Sequence, residues 1–279
     1  MKMMSETITL LGKGLYESIP DILTLKGMPT VSELDLVGSE DFDQVMLETI
    51  LPASVEIPEQ ADKKIDFYSL LEIDYQWICR CLRILNYGPY YTTNAIFCTD
   101  CGRRSFGEYQ VNLNTIKCVP LPEGFINDIT IKGSDFIDFD GDITLKLPTM
   151  RQVLNSLKDK AFQNAEGKTN RELAKICYMI TSIKGKTGLT PVDVKLIIQN
   201  ELSSADYILL KNKVSEVTNY GLRAGGKTQC PSCHKMDASF IALPDDRFFR
   251  PTVGNLRSWR ADRDARSDEK LSGTKTTTI

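Results

Sequence analysis

A chain of 279 residues, 42% apolar and 25% charged, has the composition of a globular protein with a real core, and a net charge of −3 lacks the broad basic excess of a nucleic-acid binder. No apolar run approaches the ~18 residues of a membrane span, and Met1-Lys2-Met3-Met4 leads into a short alternating stretch instead of a secretion signal, so synthesis in the cytosol is expected. Eight cysteines in such a chain favour metal over disulfides.

Residues from Ile8 to Tyr16 alternate weakly and are broken by Gly12 and Gly14, which predicts a strand and a turn. Thr30 and Glu33 have capping-box spacing, predicting a short acidic helix. Two prolines and little pattern make residues 50–64 a linker or arm. The first 62 residues hold twelve acids and three lysines, so an acidic strand and arm region over residues 1–65, suited to docking on partners, is expected.

From Asp66 to Tyr87 the apolar residues Leu70, Ile73, Trp77, Ile78, Cys81 and Leu85 recur at three and four, the buried face of a helix that Gly88-Pro89 ends. Cys79 and Cys81 point to different faces of it and read as packing residues, as does Cys177 in an apolar run. The helix delivers the chain to Cys98-Thr99-Asp100-Cys101-Gly102, a C-x-x-C turn. Beyond it Tyr109 to Asn114 alternates like a strand ending near Cys118, a weaker candidate ligand. Residues 129 to 147 read as two strands joined near Asp140-Gly141. Asp138, Asp140 and Asp142 do not make a calcium loop, because Ile143 stands where glycine is needed.

Residues 149–219 predict a bundle of about four helices, whose starts are marked by Thr149 with Gln152, Thr169 with Glu172, Thr190 with Asp193, and Ser203 with Asp206. Gly221 to Thr228 then matches the phosphate-binding pattern G-x-x-x-x-G-K-[ST]. A helical stretch before it and a cysteine turn after it are the wrong context, so its glycines read as a helix end and a flexible approach to the next motif.

That motif is Cys230-Pro231-Ser232-Cys233-His234. Two cysteines three positions apart at a tight turn aim both thiolates at one point, and two such turns supply four sulfurs to one tetrahedral zinc. Cys98, Cys101, Cys230 and Cys233 are therefore the predicted ligands of a structural zinc, clasping the ends of a 128-residue excursion. Ala238 to Leu243 should return as a strand beside the first turn, and Phe248-Phe249 should seal the core. A polar, Arg-rich tail follows over residues 257–279. His234, the single histidine, lies beside a ligand cysteine, and four thiolates leave zinc no open position, so a non-enzymatic role is expected.

The run Asp74 to Gly88, leading into Cys98-Thr99-Asp100-Cys101-Gly102, resembles the helix and first knuckle of baseplate hub proteins of T-even-type contractile-tailed bacteriophages. The second C-x-x-C, a strand and the ending Phe248-Phe249-Arg250-Pro251 extend the likeness over roughly residues 5 to 255. The departures are the long interval, His234 where knuckles commonly carry glycine, and the Arg-rich tail. The resemblance implies a structural or assembly protein of the tail baseplate, located in the virion. Its partners would be other baseplate and tail proteins, with self-association left open and no membrane. The fold expected is α+β. A zinc-ribbon-clasped small β-sheet with its helix (66–148 plus 220–256) carries an inserted helical bundle (149–219). The alternative reading is a zinc-ribbon nucleic-acid-binding regulatory protein, against which the net charge argues.

Overall fold

Alternation builds the first sheet. The computed structural model describes residues 5–29, 35–36, 39, 41–57, 65–223, 225–236, 238–241 and 248–249. In β1 (Ser5–Thr9) Ile8 turns inward, and in β2 (Ile22–Lys26) Leu23 and Leu25 are buried with Thr24 between them on the other face. The strands pair antiparallel with Ile8 opposite Leu23, and β3 (Val55–Glu56) pairs with the far side of β2. Between β2 and β3 lie a short helix α1 (Phe42–Val45), capped by the Asp41 side chain, a π-helical turn (Met46–Ile50) and a last helical turn α2 (Leu51–Ser54).

Met46, Leu47, Ile50 and Leu51 are buried in the main core. Residues 50–57 are therefore not the linker that their composition suggested. Pro52 sits in the first turn of α2, where its missing N–H has no helical partner to lose. The acidic region is likewise no free arm where it is described. Of its described acids, Asp43 accepts from the Tyr75 hydroxyl at 2.6 Å and Asp41 pairs with Lys158 at 2.6 Å. Residues 58–64 and the cap expected at Thr30 and Glu33 lie outside the described residues.

Helix α3 (Glu72–Tyr87) ends where predicted but starts later, after a 3-10 turn at Phe67–Ser69, and buries Ile73, Ile78, Cys79, Cys81, Leu82 and Leu85. It ends at Gly88, whose φ of 77° is open to glycine and costly for a side chain. Asp74 in its first turn is buried and accepts from the backbone N–H groups of Leu11 and Gly12 and from the Tyr16 hydroxyl, tying the N-terminal turn to the helix. Next come β4 (Tyr90–Cys98) and β5 (Arg104–Asn112), an antiparallel hairpin whose tip is the first cysteine turn. Sequence patterning reaches only its second strand, because a bulge between Thr93 and Ala95 breaks the alternation of β4. A short β6 (Cys118–Val119) follows.

Strands β7 (Ile129–Ile131) and β8 (Ile143–Leu145) pair as expected, Ile131 opposite Ile143. Their connection is longer than a two-residue turn. It includes a 3-10 turn at Gly133–Asp135, and Asp142 accepts from the Gly133 N–H at 2.9 Å. A Cβ on Gly141 would lie 2.3 Å from Lys184 Cγ, so that glycine serves close packing.

All four expected helices are present: α4 (Met150–Lys158), α5 (Arg171–Met179), α6 (Pro191–Glu201) and α7 (Ser204–Val217). Thr149 with Gln152 and Thr190 with Asp193 form complete capping boxes, and Ser203 caps α7. At α5 the cap is Asn170, whereas the Thr169 hydroxyl donates to the Leu157 carbonyl.

Between α5 and α6 the chain makes a hairpin, β9 (Ile180–Ile183) and β10 (Lys186–Thr187), turning on Lys184 and Gly185, both at positive φ. The sheet order is β10-β9-β8-β7. Its inward residues Ile131, Ile143, Leu145 and Ile183 share one core with Ala174, Cys177, Val194 and Leu210 of the helices. The inserted helices thus pack on a sheet that starts at Ile129, and a boundary at residue 148 falls inside this unit. Met150 and Leu154 of α4 reach the main core instead.

The chain returns through β11 (Gly221–Leu222), paired with β6, and then β12 (Gly225–Thr228) and β13 (Ala238–Ile241), which complete a sheet of order β12-β13-β4-β5. Phe248 and Phe249 are buried in the main core as expected, against Tyr91 and Phe42. Arg250, Pro251 and the Arg-rich tail lie outside the described residues. No described helix is long and apolar enough to cross a membrane.

Candidate metal centre

The first cysteine turn is closed by its own backbone. The Cys98 N–H donates to the Arg103 carbonyl at 2.9 Å, and Gly102 takes a φ of 68° to make the bend. In the second turn the Cys230 N–H donates to the Lys235 carbonyl at 2.8 Å, and the His234 N–H donates to the Cys230 carbonyl at 2.9 Å. His234 occupies the left-handed region with φ 60°, the conformation for which glycine is usual. Pairing of β13 with β4 sets Ala238 opposite Cys98, which brings the second turn beside the first. Lys235 and Asp100 join them in an ion pair at 2.8 Å.

The four predicted sulfurs come together. Cys98 Sγ is 3.7 Å from Cys233 Sγ, Cys101 Sγ is 3.8 Å from Cys230 Sγ, and all four lie within 4.8 Å of one another. Four sulfurs at about 2.3 Å from one tetrahedral ion stand about 3.8 Å apart. The donor set and its spacing therefore fit a metal ion. Cys98 and Cys230 are buried, and Cys101 and Cys233 half-buried. The Cys233 N–H, followed by that of Ser232, pulls the Cys230 thiol down to about 6. At Cys233 the Lys235 N–H works in the same direction, but burial and the neighbouring sulfurs outweigh it and push the thiol up to about 12. The sulfurs crowd one another at 3.7 and 3.8 Å. A cation at the centre resolves that crowding.

The remaining cysteines stand apart from this cluster. Burial pushes the thiols of Cys81 and Cys177 up to about 12 and holds that of Cys79 well above its usual value, so all three are packing residues. Cys118 lies in β6 opposite Leu222 and outside the group of four.

The phosphate-loop pattern resolves into strand. Gly225 to Thr228 pair residue by residue with Ile241 to Ala238, and a Cβ on Gly226 would lie 2.5 Å from Thr115 Oγ1 and 2.8 Å from Phe240 Cζ. These glycines permit close packing of the ribbon, and among the described residues no helix opens after them to receive a phosphate.

Sequence reasoning missed three buried charges, Asp74, Arg83 and Asp206, and the aromatic residues Phe97 and Phe106 exposed on the ribbon. A lone charge in a helical pattern carries no signal of burial, because each of these has partners far along the chain, Asp74 at Leu11, Arg83 at Phe248 and Asp206 at Ile137. No family model, no curated protein and no solved structure matches this chain.

Proposed function

We propose that the four thiolates hold one structural zinc ion and that the chain is a non-enzymatic component of a contractile-phage tail baseplate, working by protein contacts. The observation that carries the metal reading is the set of sulfur separations at 3.7 and 3.8 Å between turns from opposite ends of the excursion. All-sulfur coordination favours zinc, and a closed set of four leaves no position for water, so the ion supplies stability and no chemistry. The baseplate reading rests on the likeness of Asp74 to Gly102 to the helix and first knuckle of baseplate hub proteins. Such a clasp suits an assembly protein, since it fixes the base of a ribbon while the inserted unit remains free to present its outer helices.

Elemental analysis of protein purified without chelator should give about one zinc per chain. In cells infected by a phage lacking this gene, electron microscopy should show filled heads without completed baseplates or tails. Normal tails there would reject the assembly role.

A further inference from the structure

The sheet that carries the cysteine turns buries one face and leaves the other open. Cross-strand pairing sets one row across it: Lys227 opposite Ser239, Ser239 opposite Phe97, and Phe97 opposite Arg104. Directly opposed residues share a face, so these four stand together. Ala95, two positions before Phe97, is opposite Phe106, which makes Phe106 the diagonal neighbour of Phe97 on the same face. Phe97 is 42% exposed and Phe106 73%, and Lys227 and Arg104 are exposed at the two outer strands. The alternate residues Ile96, Cys98, Ala238 and Phe240 are buried on the other side. Two phenylalanines on an open sheet face contribute little to the core of this chain.

We propose that this face binds single-stranded nucleic acid. A base offers a π-face that stacks on a phenylalanine ring whatever its identity, and an open sheet with adjacent aromatics accepts successive unstacked bases. Arg104 and Lys227, on opposite edges of the sheet, are placed for the flanking phosphates, and the Ser239 hydroxyl lies between them. A duplex keeps its bases stacked on one another and cannot use the rings. A second copy of this chain fits the face less well, because pairing like faces would bring cations towards cations. The net charge of −3 argues against such binding for the chain as a whole, but it does not see a local face with two cations and two rings.

The test is fluorescence anisotropy of the full-length, metal-loaded chain with short labelled oligo-dT, oligo-U and duplex DNA. Both single strands, or one of them, should bind more tightly than the duplex, and the preference between them tells DNA from RNA. Affinity should fall with salt, with a slope of about 0.7 per phosphate neutralised. Phe97→Ala and Phe106→Ala should each weaken binding by roughly fivefold or more at unchanged metal content and Tm, Phe97→Trp should retain it, and Arg104→Glu should flatten the salt dependence. Absence of single-strand binding at low salt, equal binding of duplex, or alanine variants that bind like the parent would each overturn the proposal. If variants with unchanged nucleic-acid affinity instead block tail assembly, the face docks protein and the proposal falls while the baseplate reading stands.

Discussion

Arg83 donates its Nε–H to the carbonyl oxygen of Phe248 at 2.6 Å, joining helix α3 to a residue 165 positions further along the chain. Its other nitrogens donate to the carbonyls of Gly88 and Tyr90, both at 2.8 Å, and the guanidinium lies over the Tyr87 ring. Burial draws its pKa down to about 10, which leaves it charged at neutral pH. One side chain thus holds the helix end, the start of the ribbon and the C-terminal aromatic pair.

Replacing Arg83 by Met removes its donor from the buried carbonyls of Gly88 and Phe248 and the part-buried carbonyl of Tyr90. At about 1 kcal/mol or more for each, the variant should lose roughly 3 kcal/mol and melt about ten degrees lower. A thermal midpoint within two degrees or so of the parent would show that the network is dispensable.

Metal removal should unfold the ribbon before the inserted unit. The two halves of the ribbon meet at the four cysteines, whereas Ile143, Val194 and Leu210 belong to a separate apolar cluster. Cys230→Ser, or a strong chelator, should abolish metal binding and expose amides of β4, β12 and β13 to hydrogen exchange, with α6 and α7 still protected. Uniform protection across both regions after metal loss would contradict this.

Asp206 predicts a pH dependence. Burial opposes its charge, but the N–H groups of Ile137, Asp138 and Phe139, at 2.6, 3.1 and 3.0 Å, and the Ser203 hydroxyl outweigh it and hold the carboxyl below its usual range. The folded chain therefore binds this proton less tightly than the unfolded chain. Its contribution is complete above about pH 4 and is lost as pH falls through the lower folded value. Asp206→Asn should lower Tm at pH 7, and the gap to the parent should narrow on acidification. A gap that widens as pH falls would mean that the sign is wrong.

His234 sits at φ 60° without the freedom of glycine. His234→Gly should relieve that strain for a net gain of about 0.5–1 kcal/mol, seen as a Tm higher by a few degrees with metal still bound. Loss of metal in this variant would instead assign the imidazole a part in the site.

Gly226→Ala tests the close packing of β12. Its methyl meets Thr115 and Phe240, so the variant should be destabilised, and titration calorimetry with ATP should show no binding by the parent chain. ATP binding that Gly226→Ala abolishes would restore the phosphate-loop reading.

Short-range chemistry alone marked much of this protein. The ligand cysteines are legible because C-x-x-C is a local geometry, the starts of α4, α6 and α7 because Thr149, Thr190 and Ser203 cap the next turn, and α3 because its apolar spacing fixes a buried face. The same locality hid the rest. The bulge near Asn94 concealed β4, the apolar run into Ile180 read as continuing helix until the turn at Lys184 and Gly185 folded it into a sheet, and the acid-rich start looked like an arm although Met46, Ile50 and Leu51 lie in the core. Only tertiary structure could bring Arg83 to Phe248, Asp206 to the 137–139 backbone, and Lys227, Phe97 and Arg104 into one row, because each depends on pairing between segments whose separation in sequence carries no periodic trace.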